Sequence, residues 1–309
     1  MIKYLKICYR KIRIEIKENE EKTMTKKIIV TGCNGQLGRA VNQFYAGRDD
    51  ISFVNTDVDE LDISNVDAVM ALAKEVKPYA IINCAAYTAV DACETNRDLA
   101  FKVNTIGARN LAIAAESTGA KLVHVSTDYV FDGSKQGAYY ETDPTGPRSV
   151  YGATKEAAER MVKELCHRHF ILRTAWLYGD GKNFAKTMLR IAENNSKVRV
   201  VCDQIGTPTS TLELTKGIDS LLFSDNYGLF HATCEGQCSW ADFAKEVFRL
   251  AGKEMEVEYV TTAQYLVDYP QQAARPANSV LENYMFKMTN GYMFASWEDA
   301  IKEYMKTLV

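Results

Sequence analysis

The sequence predicts an α/β protein, a doubly wound parallel sheet of the Rossmann type with a smaller C-terminal substrate-binding lobe. Short β-branched runs alternate with amphipathic helical stretches up to about residue 175. A glycine-rich turn follows the first of these runs directly, and past residue 175 the alternation loosens, as a second lobe would make it do. Composition agrees: of 309 residues, 47% are hydrophobic and 25% charged, enough for a real core. The 37 Lys and Arg against 40 Asp and Glu, a net charge of -3, argue against a general nucleic-acid binder. No run approaches 18 consecutive apolar residues, so no membrane span is expected. The eight cysteines are scattered, several of them in apolar runs, which fits reduced thiols in a cytoplasmic protein.

Residues 1–26 are expected to be an extension outside the fold. They are rich in Lys, Arg and Glu, with the alternating stretch Ile12-Arg13-Ile14-Glu15-Ile16, and lack the apolar centre of a secretory signal. Met24-Thr25-Lys26-Lys27 looks like a start just before the first strand. Strands are predicted at Lys27–Thr31, Ser52–Thr56, Ala80–Cys84, Lys121–Ser126, Phe170–Thr174 and Val198–Val201, and helices at Val66–Val76, Asp98–Thr118 and Ser149–His169. The dinucleotide-binding part is expected over 27–178, with 196–233 returning to it, and the substrate lobe over 179–195 and 234–309. Ligands of such sheets bind outside the carboxyl ends of the strands.

The first strand runs into Thr31-Gly32-Cys33-Asn34-Gly35-Gln36-Leu37-Gly38-Arg39, a G-x-x-G-x-x-G turn that opens a helix. Glycines let the backbone approach a pyrophosphate, and the helix N-terminus favours negative charge. Asp57 ends the second strand 19 residues beyond Gly38, where a ribose-binding carboxylate is expected. Asp62 and Ile63 lie in the following loop, placed to meet an adenine. Asp57 favours NAD(H), whereas Arg39 and Arg48 offer charge to the 2′-phosphate of NADP(H), and the sequence leaves that choice open.

Tyr151-Gly152-Ala153-Thr154-Lys155 opens the helix after the Pro144/Pro147 loop, with Tyr151 and Lys155 one turn apart on one face. Bringing a phenol from a pKa of ~10 to near 7 takes roughly 4 kcal/mol of differential stabilisation. A neighbouring ammonium supplies part of it, giving a phenol able to exchange a proton with a substrate oxygen. Thr127, at the carboxyl end of the fourth strand, is placed either to hold a reacting carbonyl beside that phenol or simply to cap the strand. Asn104 is either a link in a proton path or an ordinary mid-helix polar residue. Cys234 and Cys238 lack the second pair that a zinc site needs.

From these residues the chain resembles the extended short-chain dehydrogenase/reductases and, within them, the dTDP-4-dehydrorhamnose reductase family. The likeness covers about nine-tenths of the chain, from Lys27 to the C-terminus. It rests on the glycine turn, Ala85-Ala86-Tyr87-Thr88-Ala89-Val90-Asp91, Ser126-Thr127-Asp128-Tyr129-Val130-Phe131 and the Tyr151–Lys155 string. Further along come Arg173-Thr174-Ala175-Trp176, Asn183-Phe184, Asp203-Gln204-Ile205-Gly206-Thr207-Pro208-Thr209 and Arg275-Pro276-Ala277-Asn278-Ser279.

The resemblance implies NADPH, with NADH possible, as the coenzyme for reducing the C4 ketone of a dTDP-linked deoxysugar. Tyr151 would be the general acid, Lys155 would tune it and hold the nicotinamide ribose, and Thr127 would orient the carbonyl. Gly32, Gly35, Gln36, Leu37, Gly38, Asp57, Asp62, Ile63, Ala85, Ala86, Tyr87 and Asn104 would complete the coenzyme site. Thr88, Val90, Asp128, Tyr129 and Trp176 would line the sugar pocket, and Arg275 and Asn278 would face the diphosphate arm. A monomer or homodimer working without nucleic acid or membrane is implied. Some members join two subunits through a magnesium ion held by glutamates, one of them directly after the position of Arg39. Ala40 stands there, so no metal is expected. The alternatives are an epimerase or dehydratase of the same fold, or a non-catalytic regulatory subunit of the methionine adenosyltransferase type. A dehydratase needs a second acid after Asp128, where Tyr129 stands, and a regulatory subunit would be expected to lose Thr127 and Trp176.

Overall fold

Five of the six β-branched runs form adjacent strands: β1 (Lys26–Thr31), β2 (Ile51–Thr56), β3 (Ala80–Asn83), β4 (Lys121–Thr127) and β5 (His169–Thr174). With β6 (Gly228–His231) they make one sheet, ordered β6-β5-β4-β3-β1-β2, in which every pairing is parallel. The computed structural model describes residues 25–308. The predicted extension therefore lies outside the described residues except at its end, where Lys26 already belongs to β1.

Along β1, Ile28 and Val30 enter one core and Ile29 the other, the period of two that puts successive side chains on opposite faces. On the first face, α1 (Gln36–Phe44) brings Leu37 and Val41 to Ile28, Ile82, Val123 and Leu172. On the second, α2 (Val66–Val76), α3 (Gly107–Thr118) and α4 (Val150–Leu165) bring Val69, Leu111, Ala158 and Val162 to Ile29, Ile81, Leu122 and Ile171. Later in the chain, α5 (Thr211–Leu222) adds Leu214 and Ile218 to the first face. A fully buried aliphatic side chain contributes about 1.5–3 kcal/mol and an exposed ion pair about 0–1, so these two cores hold the sheet. A third core, with Tyr178, Met188, Phe243, Val247, Trp297 and Ile301, belongs to the C-terminal lobe. Among the described residues no helix is long and apolar enough to cross a membrane.

The sequence-based expectations differ from the structure in three places. The predicted strand Val198–Val201 exists as Lys197–Val201, but it pairs with Glu256–Val260 in a separate two-stranded sheet. Its apolar side chains, Val198 and Val200, pack on the lobe core rather than on the central sheet. The sixth central strand is instead β6, Gly-Leu-Phe-His, which is short and begins at a glycine with φ of 140°. The helix expected over Asp98–Thr118 carries a π-turn at Lys102–Ile106, and the helix expected to reach His169 ends at Leu165, where the chain turns through Cys166 into β5.

β1 lies between β2 and β3, so the chain leaves it in one direction and returns on its other side. The carboxyl ends of β1 and β3 thus form a topological switch point, where ligands of open parallel sheets bind.

Candidate active site

At the switch point the turn after β1 lies directly against the loop after β3. Gly32 has φ of 65°, and a Cβ there would fall 2.7 Å from the backbone nitrogen of Ala85. A Cβ on Gly38 would fall 2.6 Å from Cα of Cys33, so α1 starts closely packed under its own turn. Asn65, Ser149 and Ser210 cap α2, α4 and α5 with their side chains, whereas Gly35 gives α1 no side-chain cap. The leading N–H groups of α1 are left to an anion, and the helix dipole favours one. These residues fit the diphosphate of a dinucleotide.

The other coenzyme positions surround this cradle. Leu37 turns its side chain into the core. Gln36 Oε1 accepts from the Gly179 N–H (3.0 Å) and from Asn183 Nδ2 (3.4 Å), tying α1 to the lobe. Asp57 accepts from the N–H groups of Asn34 (3.0 Å) and Val58 (2.8 Å), which fastens the glycine turn to the end of β2. Both arginines considered for a 2′-phosphate are engaged elsewhere. Arg39 bonds the carbonyls of Asn34 and Asp180 and pairs with the Asp180 carboxylate, and Arg48 pairs with Asp50 and Asp219. Asp62 accepts from both the N–H and the hydroxyl of Ser64. Ile63 is 5% exposed, its side chain in the core and its carbonyl accepting from Asn110 (3.0 Å), so only its backbone is left to face a base.

Asn104 sits in the π-turn, a distortion that recurs at functional sites. Its Oδ1 accepts from the Tyr87 N–H (2.7 Å), and its Nδ2 donates to the Tyr87 carbonyl (3.2 Å) and to Thr154 Oγ1 (3.1 Å). Instead of pointing along a proton path, its amide clamps the Ala85-Ala86-Tyr87 loop to α4. Ala85 is held by Asn83 Oδ1 (3.2 Å). Thr88 is exposed beyond that loop, and Val90 begins the short helix Val90–Thr95.

Tyr151 and Lys155 lie in the first turns of α4, whose Ser149 cap accepts from the Gly152 N–H (3.1 Å). The Tyr151 ring is partly buried and meets that of Tyr129 edge-on, with centroids 5.5 Å apart. Burial pushes the Tyr151 phenol above its ordinary value, opposed by the nearby Thr127 hydroxyl. Burial also brings the Lys155 ammonium down to about 8, opposed by the charge of Glu159. The spacing predicts a phenol depressed by the lysine; in the structure Lys155 Nζ donates to the Val125 carbonyl (2.7 Å) and the phenol stays high. A high phenol is a protonated one, the state that a general acid requires.

Thr127 ends β4, caps the turn Asp128–Val130 by accepting from the Tyr129 N–H, and donates to Asp128 Oδ1 (2.9 Å). Tyr129 accepts from Arg275 Nη1 (3.2 Å), and Arg275 also pairs with Asp91 (3.3 Å) across the rim of the crevice. Trp176 stacks on Trp240 with centroids 3.6 Å apart and holds φ of 49°, unusual for a large side chain. Asn278 donates to the carbonyls of Lys135 (2.8 Å) and Gly137 (2.7 Å), so its amide holds a loop instead of standing free for a phosphate.

Lys155 rests on a buried carboxylate that no sequence motif marks. Glu159, one turn on, is 1% exposed and accepts from Arg173 Nε (2.8 Å) and Nη2 (2.7 Å) and from Ser126 Oγ (2.6 Å). Ser126 and Arg173 both stand in distinctive strings, but nothing in those strings names their shared carboxylate. Removing one partner of a buried pair leaves the other charge uncompensated, at about 3–5 kcal/mol. Glu159→Ala is expected to lose that much in a urea melt; a loss under ~1 kcal/mol would contradict the pairing.

Ala40 lines a separate cavity of about 770 Å³, with Glu213 and Glu303 among its walls. Alanine offers no ligand, and the Glu213 carboxylate already accepts from Lys216 (2.6 Å) and from the Ala295 N–H (3.0 Å). These residues do not fit a bridging metal ion.

A glycine turn left open to an anion at the switch point, with a phenol, a buried lysine and a threonine on the neighbouring elements, is the arrangement of a nicotinamide-dependent oxidoreductase of the extended short-chain dehydrogenase type. Within that class the chain belongs to the family described as RmlD substrate binding domain, whose profile matches residues 26–309. It is 39% identical over 285 residues to a dTDP-4-dehydrorhamnose reductase of Aggregatibacter actinomycetemcomitans, covering 89% of this chain and 97% of the relative. A crystal structure of a dTDP-4-dehydrorhamnose reductase from Clostridium acetobutylicum superposes with a TM-score of 0.88 at 48% identity, over 91% of this chain and 99% of that one. A Bacillus anthracis dTDP-4-dehydrorhamnose reductase in complex with NADP also gives 0.88, at 40% identity, over 92% and 100% of the two chains.

Proposed function

We propose that the protein reduces the C4 ketone of dTDP-4-dehydro-β-L-rhamnose to give dTDP-β-L-rhamnose, the last step of dTDP-L-rhamnose biosynthesis, with NADPH as coenzyme and NADH as a possible substitute. The observation that carries this reading is the meeting of Tyr151 and Thr127, from separate elements, beside a cradle suited to a dinucleotide. The NADP complex of the Bacillus anthracis relative supports the choice of coenzyme.

Bound reduced coenzyme supplies the hydride. Gly32, Gly35 and the start of α1 would hold its diphosphate, Asp57 and the backbone of Ile63 its adenosine end, and Ala85–Tyr87 would form the opposite wall. Tyr151 gives its proton to the ketone oxygen as that oxygen gains charge. Thr127 holds the same oxygen in place, which supplies the alignment that makes an encounter productive. Lys155 would hold the nicotinamide ribose. Tyr129, Val90, Thr88 and Trp176 enclose the sugar, and Arg275 leaves Asp91 for the diphosphate, which suits its fork of donors. Asn278 acts by holding the loop beside Arg275.

We keep the expected division, 27–178 with 196–233 for the coenzyme and 179–195 with 234–309 for the sugar, although the parts interleave: Val198 and Val200 pack on the lobe core, and Phe286 and Phe294 on the first face of the sheet. Seven described cysteines are free thiols, which supports work in a reducing cytoplasm; the protein is taken to act as a monomer or homodimer. The test is an assay with the keto-sugar nucleotide and each reduced coenzyme in turn. One coenzyme oxidised per sugar reduced is expected; no oxidation with either would remove the proposal.

A further inference from the structure

As it stands, the Thr127 hydroxyl cannot hold a ketone oxygen. A threonine hydroxyl has one hydrogen to donate. Here that hydrogen goes to Asp128 Oδ1 (2.9 Å), while the oxygen accepts from the Tyr129 N–H (3.3 Å) and lies close to the Tyr151 phenol. So arranged, Thr127 offers a ketone oxygen only lone pairs, and two acceptors repel.

We propose that Asp128 is a positioning residue which sets the direction of the Thr127 hydroxyl, and that reduction requires the Asp128 carboxyl to be protonated. This inference rests on the ketone-reductase reading above. The carboxyl O–H then donates to the Thr127 oxygen, and the Thr127 hydrogen turns to the substrate ketone. Asp128 keeps its proton throughout. The proton that ends on the new alcohol comes from Tyr151, and the hydride comes from the reduced coenzyme.

The surroundings of Asp128 favour this form. It is 2% exposed, and its Oδ2 makes no well-formed hydrogen bond. Among the described residues no cation pairs with it. Arg275 reaches Tyr129 and Asp91, and Lys155 the Val125 carbonyl; neither reaches the Asp128 carboxyl. The remaining titratable neighbours are the phenols of Tyr129 and Tyr151, with Cys93 beyond Tyr151. Burial lifts the carboxyl to about 6, against the pull of the hydroxyls of Ser279 and Thr127 and of the backbone N–H groups of Asp128 and Tyr129.

The sign follows. Below its pKa, Asp128 is neutral and Thr127 is free to donate; above it, the carboxylate captures the Thr127 hydrogen. With saturating NADPH, kcat/KM for the keto-sugar nucleotide should fall about tenfold per pH unit above Asp128's pKa. Asp128→Asn, whose amide always has a hydrogen to give, should be level over the same range whatever its absolute rate. Identical profiles for the two proteins would overturn the proposal.

An infrared measurement needs no turnover and so separates this idea from the choice of substrate. A protonated-carboxyl stretch is expected at about pH 5, lost by about pH 8, and displaced in Thr127→Val. If no such band appears, or if Thr127→Val leaves it unmoved, Asp128 has no control over that hydroxyl. The Thr127→Val comparison decides the matter even if Asp128→Asn fails to fold.

Discussion

Tyr151→Phe is expected to lower turnover by at least ~10²-fold, the smaller effect of losing a general acid, while coenzyme affinity stays within about twofold. The substitution removes one oxygen and leaves the ring, so the edge-on contact with Tyr129 and the packing of α4 survive. No other group is ready to take over. The Thr127 hydroxyl is too weak an acid to give up its proton, and the Tyr129 phenol, itself pushed up by burial, takes its hydrogen bond from Arg275. The check is steady-state kinetics with NADPH and the keto-sugar nucleotide, beside a coenzyme titration followed by fluorescence. A mutant as fast as the wild type would remove Tyr151 from the chemistry.

Lys155→Met should cost as much in kcat/KM, about 10²–10⁴-fold, but for a different reason and with coenzyme binding weakened as well. Methionine fills the space of the lysine stem and provides neither a charge nor a donor. Stability should move the other way. The lysine's pKa falls from 10.5 in the unfolded chain to about 8 in the fold, so below pH 8 the fold carries a buried ammonium at some cost. Between pH 8 and 10.5 the unfolded chain binds a proton that the folded one has released, so this group favours folding increasingly as pH rises. At neutral pH the methionine variant should therefore melt no lower than the wild type although its activity is lost. A clearly lower melting temperature would show that the Val125 contact matters more than the burial of charge.

Much of the site was legible because it depends on local spacing. A glycine turn between a strand and a helix, an acid closing the second strand and a Tyr and Lys one turn apart need only a short window of sequence. Relations between distant segments were not legible. Glu159 and Arg173 lie 14 residues apart on different elements, and their pairing depends on how α4 packs over β5. The π-turn that aims Asn104 at Tyr87 needs one extra residue per turn, which leaves the apolar periodicity of that helix almost unchanged. Val198–Val201 reads as a strand and is one, but its place outside the main sheet is decided by what its valines meet. The partners that occupy Arg39, Arg48 and Asn278 likewise come from chain positions that no motif links to them.

Delivery of hydride to a sugar ketone beside Tyr151 can be followed with a label. With the keto-sugar nucleotide and NADPH deuterated at its transferable C4 position, one deuterium is expected at C4 of the deoxyhexose for each coenzyme oxidised. Deuterium retained on the coenzyme, or sugar converted with no net coenzyme consumed, would contradict it.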